Sequence, residues 1–123
     1  MRVLKLKNDM HRYTDVYVAD EPGSGNACHE YYISPVDLPK DQVVGDYGFA
    51  RFQNGPIGEA GANGCFMEDL LNIVVDRLES FQSGDFACRE NALALTKVQE
   101  ALHWLNHRTA DRIDRDVEGK SVK

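Results

Sequence analysis

The sequence predicts an α+β chain in which a small N-terminal antiparallel β-sheet is followed by a C-terminal antiparallel helical hairpin, the whole being oligomeric. Three observations predict it. Segments of the first half put apolar or aromatic residues at every second place or are rich in strand formers, glycines crowd the stretch that follows, and from Met67 onward the apolar period lengthens to three and four. A chain of 123 residues is one domain, or one domain with an appended unit. The expected divisions are a sheet region over 1–55, a glycine-rich connecting loop over 56–66, and a helical hairpin with a C-terminal tail over 67–123.

Four strands are expected in order. "RVLKLK" and "RYTDVYVAD" alternate in the manner of half-buried strands, and "CHEYYISP" and "YGFARFQ" are rich in strand formers. Between them, "DEPGSGN" and the two prolines of "SPVDLPKDQVVGD" supply turn chemistry and interrupt any central strand. "NGPIGEAGANG" then brings Gly55, Pro56, Gly58, Gly61 and Gly64 into one loop. The first helix follows, with Met67, Leu70, Leu71, Val74, Leu78 and Phe81 on its main apolar stripe. "SGD" stops it, with Gly84 expected in the left-handed conformation that closes a helix. The short gap returns the second helix antiparallel, its stripe formed by Ala92, Leu95, Val98, Leu102 and Leu105 and its stop marked by Gly119. Ile73, Val75, Leu93, Trp104 and Ile113 fall off these stripes. A second apolar face on the hairpin follows, and with it a symmetric oligomer, unless the sheet covers them all.

Composition excludes several classes. A formal net charge of −6 argues against a sequence-independent grip on duplex nucleic acid, so any anion site must be local. Cys28, Cys65 and Cys88 cannot all pair within one chain and have no zinc-like spacing; reduced thiols in a cytoplasmic protein fit best, each as small buried filler. "MRVLKLKNDM" lacks the apolar block of a signal peptide, and no stretch reaches the roughly 20 apolar residues of a membrane span. No metal or cofactor is expected.

Arg108, Arg112 and Arg115 stand at i, i+4 and i+7, on one helix face within reach of a common anion. A guanidinium presents a planar fork that matches phosphate oxygens two at a time, so two or three in a row suit a pyrophosphate. Asp111, three after Arg108 and four before Arg115, offers the simpler reading of a helix laced by solvated ion pairs. Spacing alone favours that simpler reading. Phe81, Arg89 and Asn91 join the row only if the hairpin brings them near it. Other patterns carry less. "GSGNACH" resembles a dinucleotide fingerprint without its third glycine or its strand-helix setting, Glu100 and His103 make a single E-x-x-H step, and Cys28 and His29 point to opposite faces of a strand.

"GSGNACHEYYIS", "FQNGPIGEAGANG", "DLLNIVVDRLESFQSGDFACRENALALTKVQEALHWLNHRTADR" and "VEGK" together resemble the phage Thoeris anti-defence protein 1 family, whose hairpin is also similar to the smaller phage anti-CBASS protein 2. The resemblance implies a sponge and no catalyst: a protein that binds cyclic ADP-ribose isomers made by bacterial immune systems, holds them intact, and forms dimers or hexamers built as trimers of dimers. It implies that Phe81 covers the base, Asn91 hydrogen-bonds the ligand, and Arg108 and Arg112 hold its phosphates with Asp111 beside them. It further implies a second site, for cyclic di- or trinucleotides, that draws on Arg89. Asp116 stands where the family motif carries a glycine, which sets Arg115 apart from the ligand set. The alternatives are a hydrolase of such signals using His103 or His107, and a protein-binding module that captures a host partner on the apolar hairpin face. Truncating Arg108 or Arg112 is expected to cost ligand affinity while leaving stability nearly unchanged.

Overall fold

The computed structural model describes residues 1–7 and 13–123, and the chain divides into two compact units, Met1–Cys65 and Phe66–Lys123. In the first, β1 (Arg2–Val3), β2 (Thr14–Val18), β3 (Glu30–Pro35) and β4 (Gly48–Arg51) form one four-stranded antiparallel sheet in the order β1-β2-β3-β4. Each strand pairs with its sequence neighbour, as short connections favour. The expected first strand shrinks to two residues, extended by one further bond from Leu4 N to Val16 O. The Arg12 end of the second predicted strand lies outside the described residues.

Register sets the side-chain pairs that hold the sheet. Tyr17 faces Tyr32, which in turn faces Phe49, and the rings of Tyr32 and Phe49 stack at 4.9 Å. Tyr31 meets Phe52 edge-on at 5.7 Å. Among the described residues Tyr17, Val18 and Val43 are the buried apolar side chains. Asp15 is buried with them and is satisfied by the backbone amide of Asp37.

The glycine-rich loop organises itself around Gln53. Its amide nitrogen donates to Gly55 O and Gly61 O, its amide oxygen accepts from Asn63 N, and Asn63 and Asn54 exchange two further bonds. Within the loop a single helical turn, α1 (Ile57–Ala60), forms where the sequence pattern predicts none. Gly64 is required here, since a Cβ at that place would come within 2.6 Å of Arg51 O and Phe52 O. That close approach lets Cys65 bridge Phe52, with Cys65 N donating to Arg51 O at 2.8 Å.

The second unit is the hairpin of α2 (Met67–Gln82) and α3 (Arg89–Asp114). Asp69 caps α2 by accepting from Phe66 N at 2.9 Å, and Cys88 caps α3, its Sγ accepting from Asn91 N at 3.4 Å. All three cysteines are free, but Cys88 is exposed and caps a helix, and Cys28 and Cys65 are only half-buried, so none is the buried filler expected. Gly84 does not adopt the left-handed conformation expected of it. α2 closes instead through Ser83, whose amide reaches Glu79 O and Ser80 O and whose hydroxyl donates to Ser80 O.

The seam between the helices also differs from the expected stripe on α2. Leu71, Val75 and Leu78 are half-buried, as are Leu95, Val98, Leu102 and Leu105 of α3, whereas Met67, Leu70, Val74 and Phe81 are exposed, as is Ala92, expected on the α3 stripe. Val75, expected off the stripe, belongs to the seam. No apolar side chain of either helix is fully buried, and Ile73 and Trp104 stand 58% and 66% exposed. Of the five residues expected off the stripes, Ile73, Leu93, Trp104 and Ile113 are exposed on the single chain.

Candidate functional site

The C-terminal end of α3 is built from backbone outward. α3 has 26 residues against 16 in α2, so it outruns its partner by ten residues, about 15 Å. Its end is closed by a Schellman motif: Val117 N donates to Arg112 O and Asp116 N to Ile113 O, both at 3.0 Å. The residue that turns left-handed to allow this is Asp116, φ 56°, three residues before the expected stop at Gly119. Aspartate tolerates that conformation better than most non-glycine residues.

The turn folds the tail back over the helix, and Arg112 holds it there. Its guanidinium donates to the carbonyls of Val122, Val117 and Lys120, the latter two at 2.9 Å, and its Nε lies 3.5 Å from Glu118 Oε2. Arg112 is 8% exposed, the one buried residue of α3. Carbonyl oxygens solvate a guanidinium without neutralising it, so among the described residues the ion-pair partner of Arg112 is the half-exposed Glu118. The expectation that Arg112 could be truncated without structural cost does not survive this arrangement.

The three arginines of the row have separate surroundings. Arg115 pairs with Asp111 at 3.0 Å and donates to Lys123 O, so the carboxylate that occupies Arg115 is Asp111, and Asp116 instead lies 4.0 Å from Lys120 Nζ. Arg108 is exposed, and among the described residues it has neither an ion-pair nor a hydrogen-bond partner. It is the available fork of the row.

Phe81, Asn91 and Arg89 gather at the other end, around the turn of the hairpin. Phe81 is 38% exposed with the Arg77 guanidinium 5.4 Å from its ring centroid. The side-chain amide of half-buried Asn91 has no partner among the described residues, and exposed Arg89 sits in the first turn of α3, where the helix dipole disfavours a cation. Asn91 and Arg108 are 17 helical positions apart, about 25 Å, in one helix. Within one chain the predicted set is thus two clusters, which no small ligand spans. His103 and His107 lie between them, edge-on to Trp104 at 5.4 and 5.8 Å, with no hydrogen-bond partner among the described residues.

A family model described as "Acb2/Tad1, hairpin domain" matches residues 47–110, from the start of β4 through most of α3. The protein named "Thoeris anti-defense 1" from Bacillus phage SBSphiJ7 is 40% identical over 142 aligned positions, covering all of both chains. The chain belongs to the Acb2/Tad1 hairpin family. The resemblance noted from the sequence is thereby shown. The matched span of the Acb2/Tad1 hairpin model includes Phe81, Arg89, Asn91 and Arg108 and stops two residues before Arg112, so the tail clamp lies outside it. No helix of the described residues is long and apolar enough to cross a membrane, and no group of three or more metal-ligating side chains gathers among them.

Proposed function

We propose that this member of the Acb2/Tad1 hairpin family is an anti-defence protein that sequesters cyclic nucleotide signals of bacterial immunity, cyclic ADP-ribose isomers above all, and holds them uncleaved in the cytoplasm of an infected host. The observation that carries the reading is the split of the ligand set. An aromatic face and an unpartnered amide stand at one end of α3, and an unpaired forked cation beside a backbone-clamped one stands about 25 Å away at the other. Two chains laid antiparallel along the exposed apolar face bring the Phe81 and Asn91 end of one against the Arg108 and Arg112 end of its partner.

The base then stacks on Phe81, Asn91 bonds the ligand, and Arg108 takes the phosphates in charge-assisted pairs. Arg112 adds its fixed charge and one remaining N–H, and Asp111 holds Arg115 aside. The second, cyclic di- or trinucleotide site draws on Arg89, whose unfavourable place in the first turn of α3 an anion relieves. A hexamer formed as a trimer of dimers accommodates both kinds of site.

Calorimetric titration with a panel of cyclic ADP-ribose isomers, cyclic dinucleotides and cyclic trinucleotides tests the reading. The expected result is tight binding of at least one cyclic ADP-ribose isomer, with the ligand recovered intact after the complex is denatured. A linear product would replace sequestration by hydrolysis, and the absence of any binding would remove the proposal.

A further inference from the structure

A second polar cleft lies in the first unit, in residues the arginine reading does not use. It is lined by Asp20, His29, Glu30, Arg51, Phe52 and Asn54, with a volume of roughly 350 Å³. His29 is 7% exposed, and its Nδ1 is buried without a hydrogen-bond partner, 3.9 Å from Asp20 Oδ2. Among the described residues Nε2 has no hydrogen-bond partner either. An unbonded buried imidazole is costly, and an apolar side chain of similar size would fill the same space at less expense.

The surroundings are fixed by the backbone. His29 N donates to both oxygens of Asp20 at 3.0 and 2.9 Å, and Glu30 N donates to Oδ1 at 3.1 Å, which holds the carboxylate in place. Gly23 lets the preceding loop lie against the ring: a Cβ there would stand 3.3 Å from Asn54 Nδ2 and 3.4 Å from His29 Cε1. Asn54 Oδ1 accepts from Ser24 N, which leaves its NH2 to donate. Arg51 pairs with Glu30 at 3.5 Å and is more than half exposed.

Two carboxylates face one guanidinium here, so the cleft repels phosphate, in contrast to the arginine end of α3. Donors and acceptors alternate around a half-buried aromatic ring. A hydroxyl both donates and accepts, and a ring bearing neighbouring hydroxyls matches such a mixed set while presenting C–H groups to Phe52. With its proton on Nδ1, facing Asp20, the imidazole keeps Nε2 as an acceptor for one of those hydroxyls.

We propose that this cleft binds a neutral sugar ring with adjacent hydroxyls, a pentose or hexose, gripped by His29, Asp20, Glu30 and Asn54. The test is a titration of the full chain with D-ribose, followed by the imidazole and Asn side-chain amide signals in NMR, with adenine and inorganic phosphate as separate arms. His29→Gln assigns the imidazole signal, and the Asn54 amide serves as an independent reporter if that variant does not fold. The expected result is a saturable millimolar response to ribose at both reporters, weakened about fivefold or more by Glu30→Gln or Asn54→Ala, with phosphate giving no response. No saturable ribose response, an equal or stronger response to adenine or phosphate, or unchanged affinity in both variants would each overturn the assignment. Because the cleft and the arginine row share no residue, either can fail without the other.

Discussion

If the nucleotide site is composite, two differently damaged chains should repair one another. Phe81→Ala removes the stacking face at one end of α3 and Arg108→Ala the free guanidinium at the other. Base stacking on an aromatic ring contributes about 1–3 kcal/mol, and truncating one partner of a desolvated charge pair costs roughly 2 kcal/mol or more. Each variant alone should therefore bind cyclic ADP-ribose about thirtyfold more weakly, taking 2 kcal/mol as the common figure. In an equal mixture that has exchanged subunits, a site is intact only where an unmutated Phe81 end meets an unmutated Arg108 end. Random pairing makes that about a quarter of all sites, in a dimer or in a hexamer built as a trimer of dimers. Calorimetric stoichiometry reads the fraction directly, and mass-tagged chains report whether exchange occurred. Full exchange with no high-affinity fraction would refute the shared site and place both residues in one chain's pocket, or in none.

Arg112→Ala should lower stability by roughly 2 kcal/mol, because three tail carbonyls lose a charged donor, while Arg108→Ala leaves the melting temperature unchanged; thermal melts of the two variants make the comparison. Asp116→Gly should stabilise the chain by roughly 0.5–1 kcal/mol by relieving the left-handed position, seen as a rise of a few degrees in Tm. Asp20 is titrated against a clear sign. Burial raises its pKa, but the amides of Glu30 and His29 and the nearby imidazole outweigh that and hold it below the usual carboxylate value. Its contribution to stability is present above about pH 4 and lost as pH falls through the lower folded value, so Asp20→Asn should flatten the acid limb of a pH-stability curve. Tyr17 has the opposite sense: burial, then Asp15 and Asp37, raise its pKa, so its contribution is present below about pH 10 and fades as pH rises through the raised folded value.

Periodicity made much of the fold legible. The alternation over β2, the strand formers of β3 and the three-four spacing of α2 place those elements closely. It could not choose between two apolar stripes on α2. Leu71, Val75 and Leu78 are as regular as Met67, Leu70, Val74 and Phe81, and only packing against α3 decides which is inner. α1 was missed because four residues are too few to show a period. The end of α3 was misplaced because Asp116 takes the conformation that the nearest glycine, Gly119, was expected to supply. Arg112 shows the deeper limit. Its partners are backbone carbonyls of the tail, which carry no residue identity, so its spacing from Arg108 looked like a second free fork.

The single chain is unfinished on two independent counts, and one arrangement answers both. Its hairpin leaves Met67, Leu70, Ile73, Val74, Trp104 and Ile113 exposed to water. The residues proposed to read the nucleotide stand at opposite ends of one helix, too far apart to meet on a small molecule. A two-fold pairing of hairpins makes every contact twice, since residue i meets j and j meets i. In the proposed arrangement, that pairing carries each aromatic end onto the partner's arginine end and creates two equal sites. Assembly and ligand affinity are then thermodynamically linked. If the signal binds only the paired form, a cyclic ADP-ribose isomer at free concentration L should strengthen subunit association by a factor of 1 + L/Kd for each site, and dilution of the protein should in turn weaken ligand binding.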